Sequence, residues 1–198
     1  MSTTESAPIR GRPRSEASRA SIIAASNQLL RSVGLQRMTV EAVAELSGVG
    51  KATIYRWWPS KGTLALDAYL EDMQSKVIVP DTGNGAEDLR RHAESVIRFY
   101  AGPEGRIFAQ FMAEAQSDTH LAEEFRTRFL SHRRAAVKSI FQRGVERGEF
   151  RNDIDADVAM DMIFAPIVYR VLAGHAPLSK RLAKELVYAA LNGLAATR

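Results

Sequence analysis

The run Ser47-Gly48-Val49-Gly50 breaks the chain between two short helix-forming segments, and that break limits what the first third of the sequence can become. Thr39 is a good N-cap and opens a predicted helix from Val40 to Leu46, whose apolar members are Val40, Val43, Ala44 and Leu46. Beyond the break, Lys51 to about Trp57 predicts a second helix, which Pro59 ends. Two short helices joined by a tight glycine-containing turn form a helix-turn-helix, here over about 39–58. The turn needs a residue that tolerates positive φ, and Gly48 and Gly50 both qualify. The second helix is too short and too polar for a core helix. It pairs a few inward apolar groups, Ile54 among them, with outward donors of the kind that meet base edges and phosphates.

The charge distribution agrees. Residues 1–61 hold 9 Lys/Arg against 4 Asp/Glu, a surplus of +5, whereas residues 62–198 hold 18 against 19, a deficit of −1. A basic excess confined to one end points to a polyanionic partner, of which nucleic acid is the commonest. The chain of 198 residues has no cysteine, which excludes disulfides and thiolate metal sites and fits a reducing cytosol. No apolar stretch approaches the roughly 18 residues of a membrane span, and the polar start is no secretory signal. The expected location is therefore cytoplasmic, with no membrane partner.

Almost every segment carries a helical pattern, and alternating β-branched runs are missing. Helices are predicted at about 15–33, 40–46, 51–57, 60–79, 86–101, 104–116, 119–147, 156–173 and 179–196, about nine in total. Residues 1–14, polar and with two prolines, are predicted to be a disordered basic arm. Long helices with short connections make an all-α bundle.

The ordered run Gly48-Val49, then Thr53-Ile54-Tyr55, Trp57 and Ser60-Lys61, preceded by Met38-Thr39-Val40-Glu41-Ala42-Val43-Ala44, resembles the DNA-binding domain of the TetR family of bacterial regulators, from about Ser15 to Leu70. The resemblance implies an all-α protein with a three-helix DNA-binding domain over 15–62. A helix over 60–79 links it to a ligand-binding and dimerisation bundle over 80–198. It implies that Thr39 bonds a phosphate, that Lys51, Ala52 and Thr53 lie near bases and backbone, and that Tyr55, Trp57 and Lys61 meet the phosphate backbone. Val43, Leu46 and Ile54 are better read as core, and Trp58 as packing between domains. Arg10-Gly11-Arg12-Pro13-Arg14 also resembles the core of minor-groove AT-hook segments, in which Arg12 and Arg14 enter a narrow groove.

The same resemblance implies a homodimer through the last two helices, with Met162, Ile163, Pro166, Leu182, Leu186, Ala189, Ala190 and Gly193 at the interface, so that two recognition helices reach one double-stranded DNA operator. It implies a cavity for a small apolar or amphipathic ligand between the DNA domain and the dimer helices. Candidate lining residues are Phe99, Phe108, Phe111, Met112, Phe125, Phe129, Phe164 and Tyr169, with Ile97, Tyr100 and Ile107 beside them. Gln110, Glu114 and Tyr169 are the candidate polar contacts. The expected function is a repressor released from a near-palindromic operator by its ligand. The alternatives are a ligand-independent or architectural DNA binder, or an activator.

Asp153-x-Asp155-x-Asp157 has the spacing of a calcium loop but lacks its glycine and its glutamate, so the acidic residues are read as helix N-terminal stabilisers. No phosphate loop, nucleophile elbow or paired-histidine spacing is present; no catalytic residue, cofactor or metal is expected, and the chain is not read as an enzyme.

Overall fold

The computed structural model describes residues 12–193, with side chains from Glu16 onward. Among the described residues every regular element is helical. Helix α1 spans Arg12–Ser32, so its backbone begins three residues before the expected Ser15. Residues 1–11 and the side chains of Arg12 and Arg14 lie outside the described residues. Gly34, expected to stop α1, takes φ +82° and starts a four-residue helical turn, α2 (Gly34–Arg37).

Helix α3 (Val40–Ser47) starts where Thr39 Oγ1 accepts the Ala42 N–H at 3.1 Å, and it ends at Gly48 with φ +67°. Gly50 has φ −61°, so only Gly48 uses the left-handed freedom that both glycines offer. Helix α4 is Lys51–Trp57. Ser60 and Thr63 then form a capping box at the start of α5 (Lys61–Lys76). Helix α1 packs on α3 and α5, and Ile22, Leu30, Val43, Ile54 and Leu64 close a small core among them. Leu46 departs from expectation, being 45% exposed. It sits off the inward stripe formed by positions 40, 43, 44 and 47, which carries the burial of α3.

The larger half contains α6 (Gly85–Tyr100), α7 (Pro103–Glu114), α8 (Thr119–Glu124), α9 (Ser131–Glu146), α10 (Ala156–Ala173) and α11 (Lys180–Asn192). A single π turn, Phe125–Leu130, joins α8 to α9 without a break, so 119–146 is one rod with a widened turn inside it. Such turns insert an extra residue and shift the register of everything beyond them. Helix α6 packs against α9 and α11, and α10 lies against α9 and α11. Helix α10 runs on through Pro166, and α11 stops at Gly193 (φ +74°), short of the expected 196. Asp155 Oδ1 accepts the Asp157 and Val158 N–H groups at 2.8 and 3.1 Å, Asp153 pairs with Arg151, and Asp157 pairs with Arg134 and Lys138. Those carboxylates are caps and ion-pair partners.

Gly48 has open space where a Cβ would go, so a side chain there meets only backbone strain. Gly48→Ala should cost about 1–2 kcal/mol, measured as a lower urea midpoint with an unchanged slope.

Candidate DNA-binding surface and ligand cavity

The recognition segment is built to face outward. Ile54 is the one residue of α4 that is buried, and it anchors the helix to the α1–α3 core. Lys51, Ala52, Tyr55, Arg56 and Trp57 are exposed, Tyr55 by 49%, and Thr53 is half-buried. Thr39 is also exposed; its oxygen caps α3, which leaves its hydroxyl hydrogen to donate. Lys51 Nζ pairs with Glu41 at 3.1 Å across the turn. Lys61 is placed differently from the other candidates. Its ammonium donates to the carbonyls of Leu35 and Gln36 at 3.1 and 3.4 Å, closing the end of α2.

Trp58 ends α4 and turns inward, 3% exposed. Its indole Nε1 donates to Asp67 Oδ2 on α5 at 2.7 Å, and the Arg19 guanidinium lies over its ring. The other oxygen of Asp67 takes the Arg128 guanidinium, which projects from the π turn. One carboxylate therefore ties the foot of the recognition helix to the larger half. A second tie runs through α2, where Gln110 of α7 accepts the Leu35 N–H at 2.8 Å. A Cβ on Gly34 would come within 2.9 Å of that amide, so the glycine also makes room for it. Gln110 thus joins the two halves and does not line a cavity.

A cavity of about 390 Å³ lies among α6, α9, α10 and the π turn. Val96 and Tyr100 come from α6 and Phe108 from α7, while Phe129 and Leu130 come from the π turn. Arg133, Arg134 and Val137 come from α9, and Met160, Phe164, Val168, Tyr169 and Leu172 from α10. Of the candidate residues, Phe108, Phe129, Phe164 and Tyr169 line this cavity, with Tyr100 beside them. Phe99, Phe111 and Phe125 are not. They are buried in an aromatic cluster around Tyr69, whose ring centroid lies 5.5 Å from those of Phe99 and Phe111. Ile97 and Ile107 are buried away from the cavity, Met112 packs on the core edge, and Glu114 does not reach the cavity. Aromatic type alone does not separate a wall residue from a core residue.

Arg133 was not expected. Its Nη2 donates to His92 Nε2 at 3.0 Å. An arginine has no acceptor, so His92 is neutral with its proton on Nδ1, which donates to the Ile78 carbonyl. Burial first, and the neighbouring guanidinium second, hold His92 down at about 4.

The last two helices present less than expected to a partner. Ile163 and Leu182 are buried within the protomer, and Pro166, Leu186, Ala189 and Ala190 are half-buried. Met162 and Gly193 are exposed. The exposed apolar groups are instead Val158, Met162, Tyr169 and Leu172 on α10 and Tyr188 and Leu191 on α11. Positions 158, 162, 169 and 172 share one face of α10, a spacing that was present in the sequence.

Comparison with known proteins gives the family. Residues 22–68 match the model of the bacterial regulatory proteins of the tetR family, and residues 79–190 match that of the tetracyclin repressor-like C-terminal domain. The chain belongs to the TetR family. It is 37% identical over 188 residues to the HTH-type transcriptional regulator YdeS of Bacillus subtilis, covering 95% of each chain. It is similar in structure to the TetR family transcription regulator SCO0332, with a TM-score of 0.83, 33% identity, and 90% and 99% of the two chains covered. It shares its fold with the regulator FadR of Bacillus subtilis, solved in complex with stearoyl-CoA, at a TM-score of 0.69 and 19% identity over 89% and 99% of the chains. This TetR-family chain is a helix-turn-helix transcriptional regulator. No helix among the described residues is long and apolar enough to cross a membrane.

Lys51→Ala should weaken operator binding and flatten the log–log salt slope by about 0.9 for each lost phosphate contact. Tyr55→Phe should weaken binding with the slope unchanged, because a neutral hydroxyl displaces no counterion; filter binding across a salt series separates the two. His92 generates a pH prediction. Its folded pKa of about 4 lies below the ordinary 6.5, so between those values the unfolded chain binds a proton that the folded chain refuses. Stability is full above pH 6.5 and falls toward pH 4, by about 3 kcal/mol in all. Urea unfolding across that range should show the loss, and His92→Gln should flatten it.

Proposed function

We propose that this regulator is a cytoplasmic homodimeric repressor that grips a near-palindromic operator with two copies of α4 and lets go when a small molecule fills the cavity. Thr39, Lys51, Ala52, Thr53, Tyr55 and Trp57 form its DNA face. The observation that carries this reading is the Asp67 carboxylate, which holds Trp58 at the foot of α4 and Arg128 in the π turn. Phe129 and Leu130, the two residues after Arg128, line the cavity. A ligand pressing on them moves Arg128, and Asp67 passes the movement to the recognition helix. The wall is mostly apolar, with room for a small apolar or amphipathic molecule. A regulator of the same fold is solved with stearoyl-CoA, which is consistent with an effector in this half.

The dimer surface follows from the exposed face of α10 and α11, where Val158, Met162, Leu172, Tyr188 and Leu191 stand uncovered on two neighbouring helices. Two-fold pairing of that face buries them and sets the two heads on successive major grooves. Arg12 and Arg14 remain candidates for the minor groove beside the operator. Lys61 gives two of its three donors to the carbonyls of α2 and has one left for a phosphate.

A thermal-shift screen finds compounds that bind the cavity, and footprinting finds the operator. A saturating cavity ligand should lower operator affinity by about 5–150-fold, the usual span of such coupling. Arg128→Met should keep ligand binding and lose most of that drop. If cavity ligands leave operator affinity untouched, the protein is a ligand-independent DNA binder. If the drop survives in Arg128→Met, the Asp67 route is wrong.

A further inference from the structure

The cations of the π turn and α9 differ in one respect. Arg126 pairs with Glu123, Arg128 with Asp67 and Glu124, Arg134 with Asp157 and Asp161, Lys138 with Asp157, and Arg143 with Asp81. Arg133 pairs with none: among the described residues no carboxylate lies within ion-pair distance of it, and its one hydrogen bond goes to His92, a neutral acceptor. Arg133 is half-buried, and burial is the first influence that weighs against its charged form. A guanidinium does not give up its proton under ordinary conditions, so a partly desolvated charge with no counter-ion stays in the free protein.

That charge borders the cavity. Tyr100 lines the same wall, and its hydroxyl has no hydrogen-bond partner among the described residues. Arg134 and Asp161, also at the wall, pair with each other at 2.7 Å, and Arg134 takes Asp157 as well, so this pair offers no free charge of either sign. Val96, Phe108, Phe129 and Phe164 line the same cavity. His92 fixes the guanidinium by accepting from one Nη2 hydrogen, which leaves the remaining N–H groups of the fork to other acceptors. A planar carboxylate matches that fork and takes two of its hydrogens, and the tyrosine hydroxyl supplies a further donor.

We propose that the effector of this regulator is an organic acid, a single carboxylate on an apolar body, with the carboxylate on Arg133 and Tyr100 and the body against the aromatic wall. This rests on the ligand-controlled reading of the cavity and specifies the chemistry that the cavity selects. His92 is a positioning residue. The acid can be a chain or a ring system; both have the same head group, and the cavity wall decides between them.

The test uses the full-length protein and two acid–alcohol pairs, dodecanoate with dodecanol and 1-naphthaleneacetate with 1-naphthaleneethanol. Calorimetric titration should give at least one acid that binds about tenfold or more tightly than its alcohol, a difference of about 1.4 kcal/mol. Which acid does so identifies the source, linear or ring. Arg133→Met should abolish the preference, bringing the acid to the level of the alcohol, and Arg133→Lys should restore part of it. The free Arg133→Met protein loses both a charge without a counter-ion and the donor to His92 Nε2, so its melting temperature serves only as a check that it folds. The acid should raise the melting temperature of the wild type and not that of Arg133→Met.

The proposal is overturned if neither acid binds, if alcohols bind as tightly as acids, or if Arg133→Met keeps the acid preference. Operator binding separates this from the broader reading. Alcohols that bind and release the operator as well as the acids leave ligand control standing and remove the anion site. Acids that bind through Arg133 without changing operator affinity do the reverse.

Discussion

Asp67 stands on the second turn of α5, and its two oxygens face in different directions. One accepts the indole N–H of Trp58, at the point where the recognition helix ends. The other accepts the guanidinium of Arg128, where the long rod widens into a π turn. Without this carboxylate, Trp58 would bury an unsatisfied donor and Arg128 would lose its link to the DNA-binding half. The orientation of α4 relative to the larger half is therefore held by this partly buried side chain together with the Gln110 tie at α2.

The rest of α5 makes that side chain effective. Leu64, Ala65, Leu66, Ala68 and Tyr69 are buried, so the helix is held on both sides and moves as a body. Tyr69 donates to the Glu104 carbonyl at 3.0 Å and packs among Phe99, Phe111 and Phe129. At the other end Lys76 and Arg31 share Asp72 and Glu104, joining α1, α5 and α7. A push on Phe129 thus meets a packed helix whose far side carries the DNA-binding domain. Densely packed aromatic clusters transmit displacement because they have little free volume to absorb it.

The DNA-binding end was legible because each of its positions has a local physical requirement. Thr39 must cap, Gly48 must take a positive φ, Ile54 must anchor a helix whose other residues face out, and Ser60 must open α5. Trp58, which the family resemblance reads as packing between domains, is buried. The cavity was only half legible. Phe108, Phe129, Phe164 and Tyr169 line it while Phe99, Phe111 and Phe125 fill the core, and the difference depends on the rotation that the π turn imposes, which no residue pattern announces. Arg133 reads in the sequence as one more solvated cation beside Arg134. Only the placement of acidic residues on other helices shows that one of the two is paired and the other is not. The exposed apolar positions differ from those expected for a related reason: α10 and α11 are apolar on more than one face, and Ile163 and Leu182 are taken up by the protomer itself.

The central claim is that filling the cavity moves the DNA-reading helices. The absence of native cysteine permits a direct measurement, with a spin label at Arg56→Cys on α4 and electron–electron double resonance across the dimer. Val168→Phe places a larger side chain into the cavity wall and stands in for a ligand. With operator bound, the labelled protein should show recognition helices about 34–36 Å apart, one turn of B-DNA. In the free Val168→Phe protein the label distance should shift away from that seen in the free parent, with operator affinity falling in parallel. An unchanged distance and unchanged affinity in a folded Val168→Phe dimer would contradict the account.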